Sequence, residues 1–141
     1  MTARARHESK TALEAAVCQE MDRQGLAHEH RPLHFRVRDD AQGRAKFSPA
    51  IVARRGPILF LVEPLPTATR PALDRLTRFL EQHSPELVLV VVAPDSRVRN
   101  IPGGAYDEIY AESDIARMTQ RIRDQDPEGL VRPFEKPRPV G

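Results

Sequence analysis

The stretch Ile58-Leu59-Phe60-Leu61-Val62 is apolar at every position, and a second apolar run extends from Leu87 to Ala93. Strands that are apolar on both faces are typical of a sheet covered by helices on both sides. Between the runs, Leu73, Leu76 and Phe79 recur at helical spacing. This strand–helix–strand order predicts two parallel, neighbouring strands. We expect five aliphatic residues to form the buried interior of the sheet: Leu59, Leu61, Val88, Val90 and Val92.

Towards the N-terminus, helical spacing of apolar residues predicts a helix over 9–25. Alternation of apolar and polar residues predicts a strand over 33–38, and a hairpin loop over 39–45 would join it to a returning strand over 47–54. Pro49 indicates an irregularity or a sheet edge in the returning strand, because proline cannot donate to a ladder of hydrogen bonds.

Towards the C-terminus, the sequence predicts a short strand over 106–111 and a last helix capped by Ser113. Closely spaced prolines over 127–141 are incompatible with regular structure. The expected order is therefore α-β-β-β-α-β-β-α, in a single α/β domain over 1–126 followed by a proline-rich tail over 127–141.

Composition narrows the class of protein. The chain has 141 residues, 30% of them charged, with a formal net charge of +2. No apolar run approaches the roughly 20 residues that cross a bilayer, and no signal-peptide pattern is visible, so we expect a soluble cytoplasmic protein with no membrane partner. Cys18 is the only cysteine, which excludes an internal disulfide and a cysteine-rich zinc site. Its place on the apolar side of the first helix predicts an inert, packed thiol.

The order of elements resembles that of the PD-(D/E)xK, or restriction-endonuclease-like, nuclease superfamily, over roughly residues 9–93. Pro49-Ala50 falls where active members have Pro-Asp, and Glu63-Pro64-Leu65 falls where they have an acid, any residue and lysine. Glu14 falls where a glutamate of the first helix often lies. The resemblance implies a three-layer core with a mixed central sheet, and a site in which carboxylates hold a divalent ion that activates water.

The match to that site is partial, because Ala50 replaces the main metal-binding aspartate and Leu65 replaces the lysine. Glu63 and Glu14 are therefore candidate catalytic residues of a relic or relocated site. Alternatively, Glu63 forms an ion pair with an arginine. For Glu14 alone, a solvated position on the helix surface is the favoured interpretation.

The preferred functional hypothesis is a catalytically degenerate nuclease-like domain that acts as a nucleic-acid-associated or protein-assembly module rather than as an enzyme. One alternative is an active Mg²⁺-dependent nuclease with a relocated site, using Glu63, Glu14 and Asp39 or Asp40, with Lys46 or an arginine as the cation. Another is a structural homo-oligomer that associates through an exposed sheet edge. No cofactor is expected, except Mg²⁺ if the relocated site exists.

Two further sets of residues are candidates for binding. Arg36, Arg38, Arg54 and Arg55 could form a basic surface that binds DNA or RNA weakly, although Asp39 and Asp40 lie beside them and a mixed-charge solvated surface is the simpler interpretation. His28, His30 and His34 alternate as metal ligands on an extended chain would, but no matching ligand cluster is visible and Pro32 interrupts the run. We therefore predict no metal site.

Overall fold

The computed structural model describes residues 9–38, 43–83 and 86–125, in which three α-helices and seven strands occur. The helices are α1 (Ala12–Arg23), α2 (Arg70–Gln82) and α3 (Ile115–Arg123). The strands are β1 (Glu29–His30), β2 (Phe35–Arg38), β3 (Arg44–Phe47), β4 (Ile51–Arg55), β5 (Ile58–Pro64), β6 (Leu87–Ala93) and β7 (Glu108–Ala111). Short 3-10 turns cover Val98–Asn100, Gly103–Ala105 and Glu112–Asp114.

The first two helices begin at threonine caps. The hydroxyl oxygen of Thr11 accepts a hydrogen bond from the backbone N–H of Glu14 at 3.1 Å, and that of Thr69 accepts one from Ala72 at 3.3 Å. Such caps satisfy backbone donors that the helix itself leaves unpaired. After α1, Gly25 takes a φ of +73°, a left-handed conformation that glycine adopts with little strain.

Five strands form a mixed sheet in the order β1-β4-β5-β6-β7. β4 pairs antiparallel with β1 and β5, whereas β6 pairs parallel with β5 and β7. The prediction that the two apolar runs form parallel neighbours is confirmed, since they correspond to β5 and β6.

The core lies on both faces of this sheet. On one face, α1 and α3 pack against Phe60, Val62 and Val90. On the other face, α2 and the β2–β3 pair pack against Leu61 and Leu89. Of the five predicted interior residues, Leu61, Val90 and Val92 are fully buried, whereas Leu59 and Val88 near the strand starts are only half-buried.

The predicted order α-β-β-β-α-β-β-α is wrong before α2, where the described residues form five strands rather than three, and β1 was not predicted. β2 and β3 form a separate two-stranded sheet, and β3 is separated from β4 by the kinked segment Ser48-Pro49-Ala50. The returning strand is therefore two strands, with the irregularity that Pro49 indicated between them. Arg44 and Ala45, which were assigned to the hairpin loop, belong to β3.

The last helix also begins differently from the prediction. Asp114, not Ser113, is its N-cap residue, and the backbone N–H of Ser113 donates to Oδ1 of Asp95 at 2.9 Å. The proline-rich tail and most of the predicted hairpin loop lie outside the described residues. None of the helices in the described ranges is long and apolar enough to cross a bilayer.

Candidate functional site

The first candidate site is a carboxylate cluster of Glu14, His30, Arg31 and Glu63, between α1 and the ends of β1, β4 and β5. Oε1 of Glu63, near the end of β5, accepts a hydrogen bond of 2.9 Å from the backbone N–H of Ala50. The kinked segment before β4 places this donor there. Loss of solvent around the carboxyl raises the pKa of Glu63 to about 7, although the Ala50 N–H and the charge of Arg31 oppose that rise.

Glu14 is almost fully buried, with 2% of its surface exposed, and its carboxylate is saturated with donors. Nη1 of Arg31 donates to Oε2 at 2.9 Å and Nη2 donates to Oε1 at 2.5 Å, which is a two-pronged pair. Nδ1 of His30 lies 2.7 Å from Oε2, and the backbone N–H of Lys10 donates to Oε1 at 3.1 Å. Burial by itself would raise the pKa of Glu14, but the hydrogen bonds from Arg31, His30 and Lys10 hold that pKa below its ordinary value.

Arg31 is held in this cluster by its backbone as well as by its side chain. Its φ is +52°, in the left-handed region that non-glycine residues rarely adopt, and its N–H donates to the carbonyl oxygen of Ala50 at 3.1 Å. This conformation ties the end of β1 to the start of β4. The guanidinium therefore supplies a fixed positive charge that acts on both Glu14 and Glu63.

Both predicted acids thus belong to one cluster, and the charge of Glu14 contributes to the raised pKa of Glu63. The favoured interpretation of Glu14 as a solvated helix residue is wrong, because Arg31 and His30 bury and pair it. Sequence reasoning missed Arg31. The signal available was an arginine just before Pro32, at the end of a short extended segment.

The positions of the two replaced motif residues are both apolar and buried. Ala50 is 5% exposed and packs with the α1 side of the core, and Leu65 is 6% exposed and packs with the α2 side. Neither position can supply a ligand or a proton. In the described residues, the cluster can balance charge internally, with Arg31 as its cation.

A second group, the thiol–imidazole group, consists of Cys18, His28 and His30. Their candidate ligand atoms all lie within 4.8 Å of one another, and Sγ of Cys18 is 3.3 Å from Nε2 of His28. Nδ1 of His28 is 2.9 Å from the carbonyl oxygen of Leu26. Burial, together with the charges of Asp22 and Glu14, raises the pKa of the Cys18 thiol to about 11.

Sequence reasoning named two of these residues, His28 and His30, but grouped them with His34. His34 instead lies directly before β2 and is exposed. Its Nδ1 lies 2.6 Å from the hydroxyl oxygen of Ser48. The third member of the group is Cys18, which comes from α1. Because it precedes His28 by ten residues on another element, alternation along the chain could not reveal it.

The third candidate site is a cationic ribbon of Arg36, Arg38, Arg44 and Lys46 on the β2–β3 pair. In the register of this pair, Arg36 faces Lys46 and Arg38 faces Arg44, and all four residues are exposed. No aspartate or glutamate occurs in the flanking described segments 33–38 and 43–48. The ribbon therefore presents four cations on one face, with Asp39 and Asp40 next to Arg38 in the sequence. A shallow pocket of about 480 Å³ lies along it, partly lined by Arg36, Arg44 and Lys46.

The opposite face of the ribbon is anchored to α2. Phe35 and Phe47 make edge-to-face contacts with Phe79, at centroid distances of 5.0 and 4.9 Å. The side-chain amide of Gln82 donates to the carbonyl oxygen of Arg38 at 2.9 Å and accepts from its N–H at 3.1 Å. These contacts fix which face of the ribbon points outward.

The four arginines predicted to form one basic surface thus lie on two different sheets. Arg36 and Arg38 lie on the outer face of β2 as expected, whereas Arg54 and Arg55 belong to β4 in the main sheet. Arg54 is exposed, but Nη2 of Arg55 donates to the carbonyl oxygen of Arg123 at 2.8 Å and so holds the end of α3. The alternation of Arg44 and Lys46 with Ala45 and Phe47 was the signal for the other half of the ribbon.

Comparison with protein-family models finds none that matches this chain, and a search of curated proteins finds no match either.

Proposed function

We propose that this protein is a catalytically degenerate nuclease-like domain that acts as a nucleic-acid-associated module and binds duplex DNA through the cationic ribbon. The observation that carries the proposal is the register of the ribbon, in which four exposed cations form two directly opposed pairs. Like charges opposite each other on a sheet are destabilising. A polyanion that binds across the four cations offsets this repulsion.

Duplex DNA fits the ribbon better than a single strand does. The major groove of B-form DNA admits a two-stranded β-ribbon, and arginine and lysine bind phosphates and guanine edges. Binding of single strands uses aromatic side chains as stacking platforms. The aromatic residues of this ribbon, Phe35 and Phe47, instead contact Phe79 of α2.

The carboxylate cluster supports the degenerate half of the proposal. In an active nuclease of this kind, carboxylates hold a divalent ion that offsets charge and activates water. Here, Arg31 already pairs with Glu14, and Ala50 offers a backbone N–H to Glu63 instead of a carboxylate. Glu14 and Glu63 therefore both have hydrogen-bonding partners within the protein, without an ion, which favours a structural role for this cluster.

The test is fluorescence anisotropy with a labelled duplex DNA at 50 and 200 mM salt. We expect binding at the lower salt and weakening of at least tenfold at the higher salt, because phosphate contacts release counterions. A ribbon variant, with Arg36, Arg38, Arg44 and Lys46 all changed to Gln, should lose binding at least tenfold. Its log–log salt slope should be shallower by about four units if each cation contacts a phosphate.

A matched control removes the same number of charges elsewhere. Arg70, Arg97, Arg99 and Arg117 are also exposed, so changing these four residues to Gln lowers the net charge equally. This control should retain most of the binding. Equal losses in the two variants, or no binding by the wild type at 50 mM salt, would overturn the ribbon as the binding surface. Tighter binding of single-stranded DNA or of RNA would replace duplex DNA as the ligand.

A further inference from the structure

We propose that Cys18, His28 and His30 form a binding site for one divalent transition-metal ion of the zinc class, ligated by Sγ and by Nε2 of each imidazole. This site is separate from the cationic ribbon and does not depend on DNA binding.

The orientation of the two imidazoles is the first observation behind the proposal. Nδ1 of His28 faces the carbonyl oxygen of Leu26 at 2.9 Å, and Nδ1 of His30 faces Oε2 of Glu14 at 2.7 Å. Metal-binding histidines characteristically donate their second ring N–H to a backbone carbonyl or a carboxylate. In both rings, these acceptors favour the tautomer whose Nε2 carries the lone pair.

The spacing of the ligand atoms is the second observation. Zinc bonds of about 2.3 Å to sulfur and about 2.0–2.1 Å to nitrogen, at a tetrahedral angle, place the two ligand atoms about 3.6 Å apart. Sγ of Cys18 lies 3.3 Å from Nε2 of His28, and one candidate ligand atom from each of the three residues lies within 4.8 Å of the others. Only small side-chain rotations are therefore needed for all three to reach one ion.

The donor set selects the kind of metal. One sulfur and two imidazole nitrogens suit Zn²⁺ and its close relatives, whereas Mg²⁺ prefers oxygen ligands. On binding, the Cys18 thiol loses its proton to solvent and the sulfur lone pair forms the bond to the ion. Oδ2 of Asp22 lies 3.8 Å from Sγ.

The site would join two elements of the fold. Cys18 lies on α1, His30 lies on β1, and His28 immediately precedes that strand. A bound ion would therefore cross-link α1 to the edge strand of the sheet.

The experiment is titration of metal-free, full-length protein with Co²⁺, which replaces Zn²⁺ and reports on its ligands. We expect saturation at one equivalent, a near-ultraviolet charge-transfer band from the thiolate, and visible bands of a tetrahedral ion. Zn²⁺ should displace Co²⁺ and erase these bands. Since Cys18 is the only cysteine, Zn²⁺ should also slow its labelling by a thiol reagent.

Two variants distinguish a loss of metal binding from a loss of folding. Cys18→Ser preserves the shape of the side chain and should lose the charge-transfer band and weaken Zn²⁺ binding at least tenfold, with an unchanged circular dichroism spectrum. His34→Ala removes an exposed histidine outside the group and should bind as the wild type does. Absence of a charge-transfer band at one equivalent of Co²⁺, or the same band in Cys18→Ser, would overturn the metal site.

Discussion

Arg31 combines a disfavoured backbone conformation with a nearly buried ion pair. A left-handed φ costs a non-glycine residue roughly 1–2 kcal/mol, yet Arg31 keeps its φ of +52°. The hydrogen bond from its N–H to Ala50 and the two bonds from its guanidinium to Glu14 offset that cost. The residue therefore links the end of β1, the start of β4 and the buried acid of α1.

Removal of the Arg31 side chain should leave the Glu14 carboxylate without its main counterion. We expect Arg31→Ala to lower the free energy of unfolding by about 2–3 kcal/mol, because the remaining acid is buried while the arginine is partly exposed. Urea unfolding at pH 7 measures this loss. Arg23→Ala, which breaks the exposed pair with Glu20, is the control and should leave the midpoint nearly unchanged. An equal effect of both substitutions would contradict the role given to Arg31.

Glu63 should make stability depend on pH between 5 and 8. Its pKa is about 7 in the folded protein against an ordinary value of 4.5, so the folded state retains a proton that the unfolded state has released. The contribution is fully present below pH 4.5 and is lost as pH rises through 7. Because the side chain is half-buried, we expect a loss of about 2 kcal/mol between pH 5 and 8.

Glu63→Gln isolates this effect, because the amide cannot ionise and all other titrating groups stay in place. Denaturant unfolding of both proteins at pH 5, 6.5 and 8 should show a flatter profile for the variant. Its stability relative to the wild type should therefore increase with pH. Parallel profiles would mean that Glu63 is already ionised throughout this range.

At the scale of the elements, β5 is a strand whose position follows from its local sequence. Phe60 and Val62 face α1 and α3, while Leu61 faces α2, so neither side of the centre of the strand meets water. That is the reason why an unbroken apolar run predicted its position and its parallel partner correctly. The N-caps Thr11 and Thr69 are likewise local interactions, although Thr11 was not predicted as a cap.

Leu61→Ala tests the burial of β5. Leu61 has no exposed surface, and truncation of a fully buried leucine costs about 2–5 kcal/mol through lost transfer energy and the cavity left behind. Leu59→Ala in the same strand should cost clearly less, because Leu59 is only half-buried. Unfolding by urea, followed by circular dichroism, compares the two. Equal losses of unfolding free energy in the two variants would contradict the tight packing of Leu61.

The cationic ribbon was only half predictable from the sequence. Arg36 and Arg38 alternate with apolar residues, so their exposure follows from the period of a strand. Their pairing with Arg44 and Lys46 depends on where the chain reverses and on the kink at Ser48-Pro49-Ala50, which detaches β3 from β4. Pro49 indicated the kink, but alternation along the chain does not show where the chain reverses.

At the scale of the whole molecule, the candidate sites depend on contacts between residues distant in the chain. Glu14 and Arg31 are 17 residues apart, and Cys18 and His28 are 10 apart. No periodicity relates such pairs, so the sequence indicated Glu14 only through a resemblance, indicated Glu63 also as an acid at the end of a buried strand, and did not identify Arg31. It also assigned Cys18 as an isolated thiol, because the turn that brings His28 beside it is a tertiary feature.

The whole molecule should be inert as a nuclease, because its cluster balances charge with Arg31 instead of a metal ion. We expect no Mg²⁺-dependent cleavage of plasmid or single-stranded DNA, and no increase in melting temperature on addition of Mg²⁺. Mg²⁺ requires several oxygen ligands in near-octahedral geometry, which Glu63 alone cannot supply while Glu14 is paired.

The double substitution Ala50→Asp with Arg31→Ala tests this explanation from the opposite direction. It adds a carboxylate beside Glu63, whose Oε1 lies 2.9 Å from the Ala50 N–H, and releases Glu14 from its counterion. Three acids without a cation should repel one another, so Mg²⁺ should now raise the melting temperature, while single Arg31→Ala should respond much less. If the wild type, free of contaminating nuclease, cuts DNA and Glu63→Ala abolishes the cutting, the degenerate site is wrong and a relocated active site replaces it.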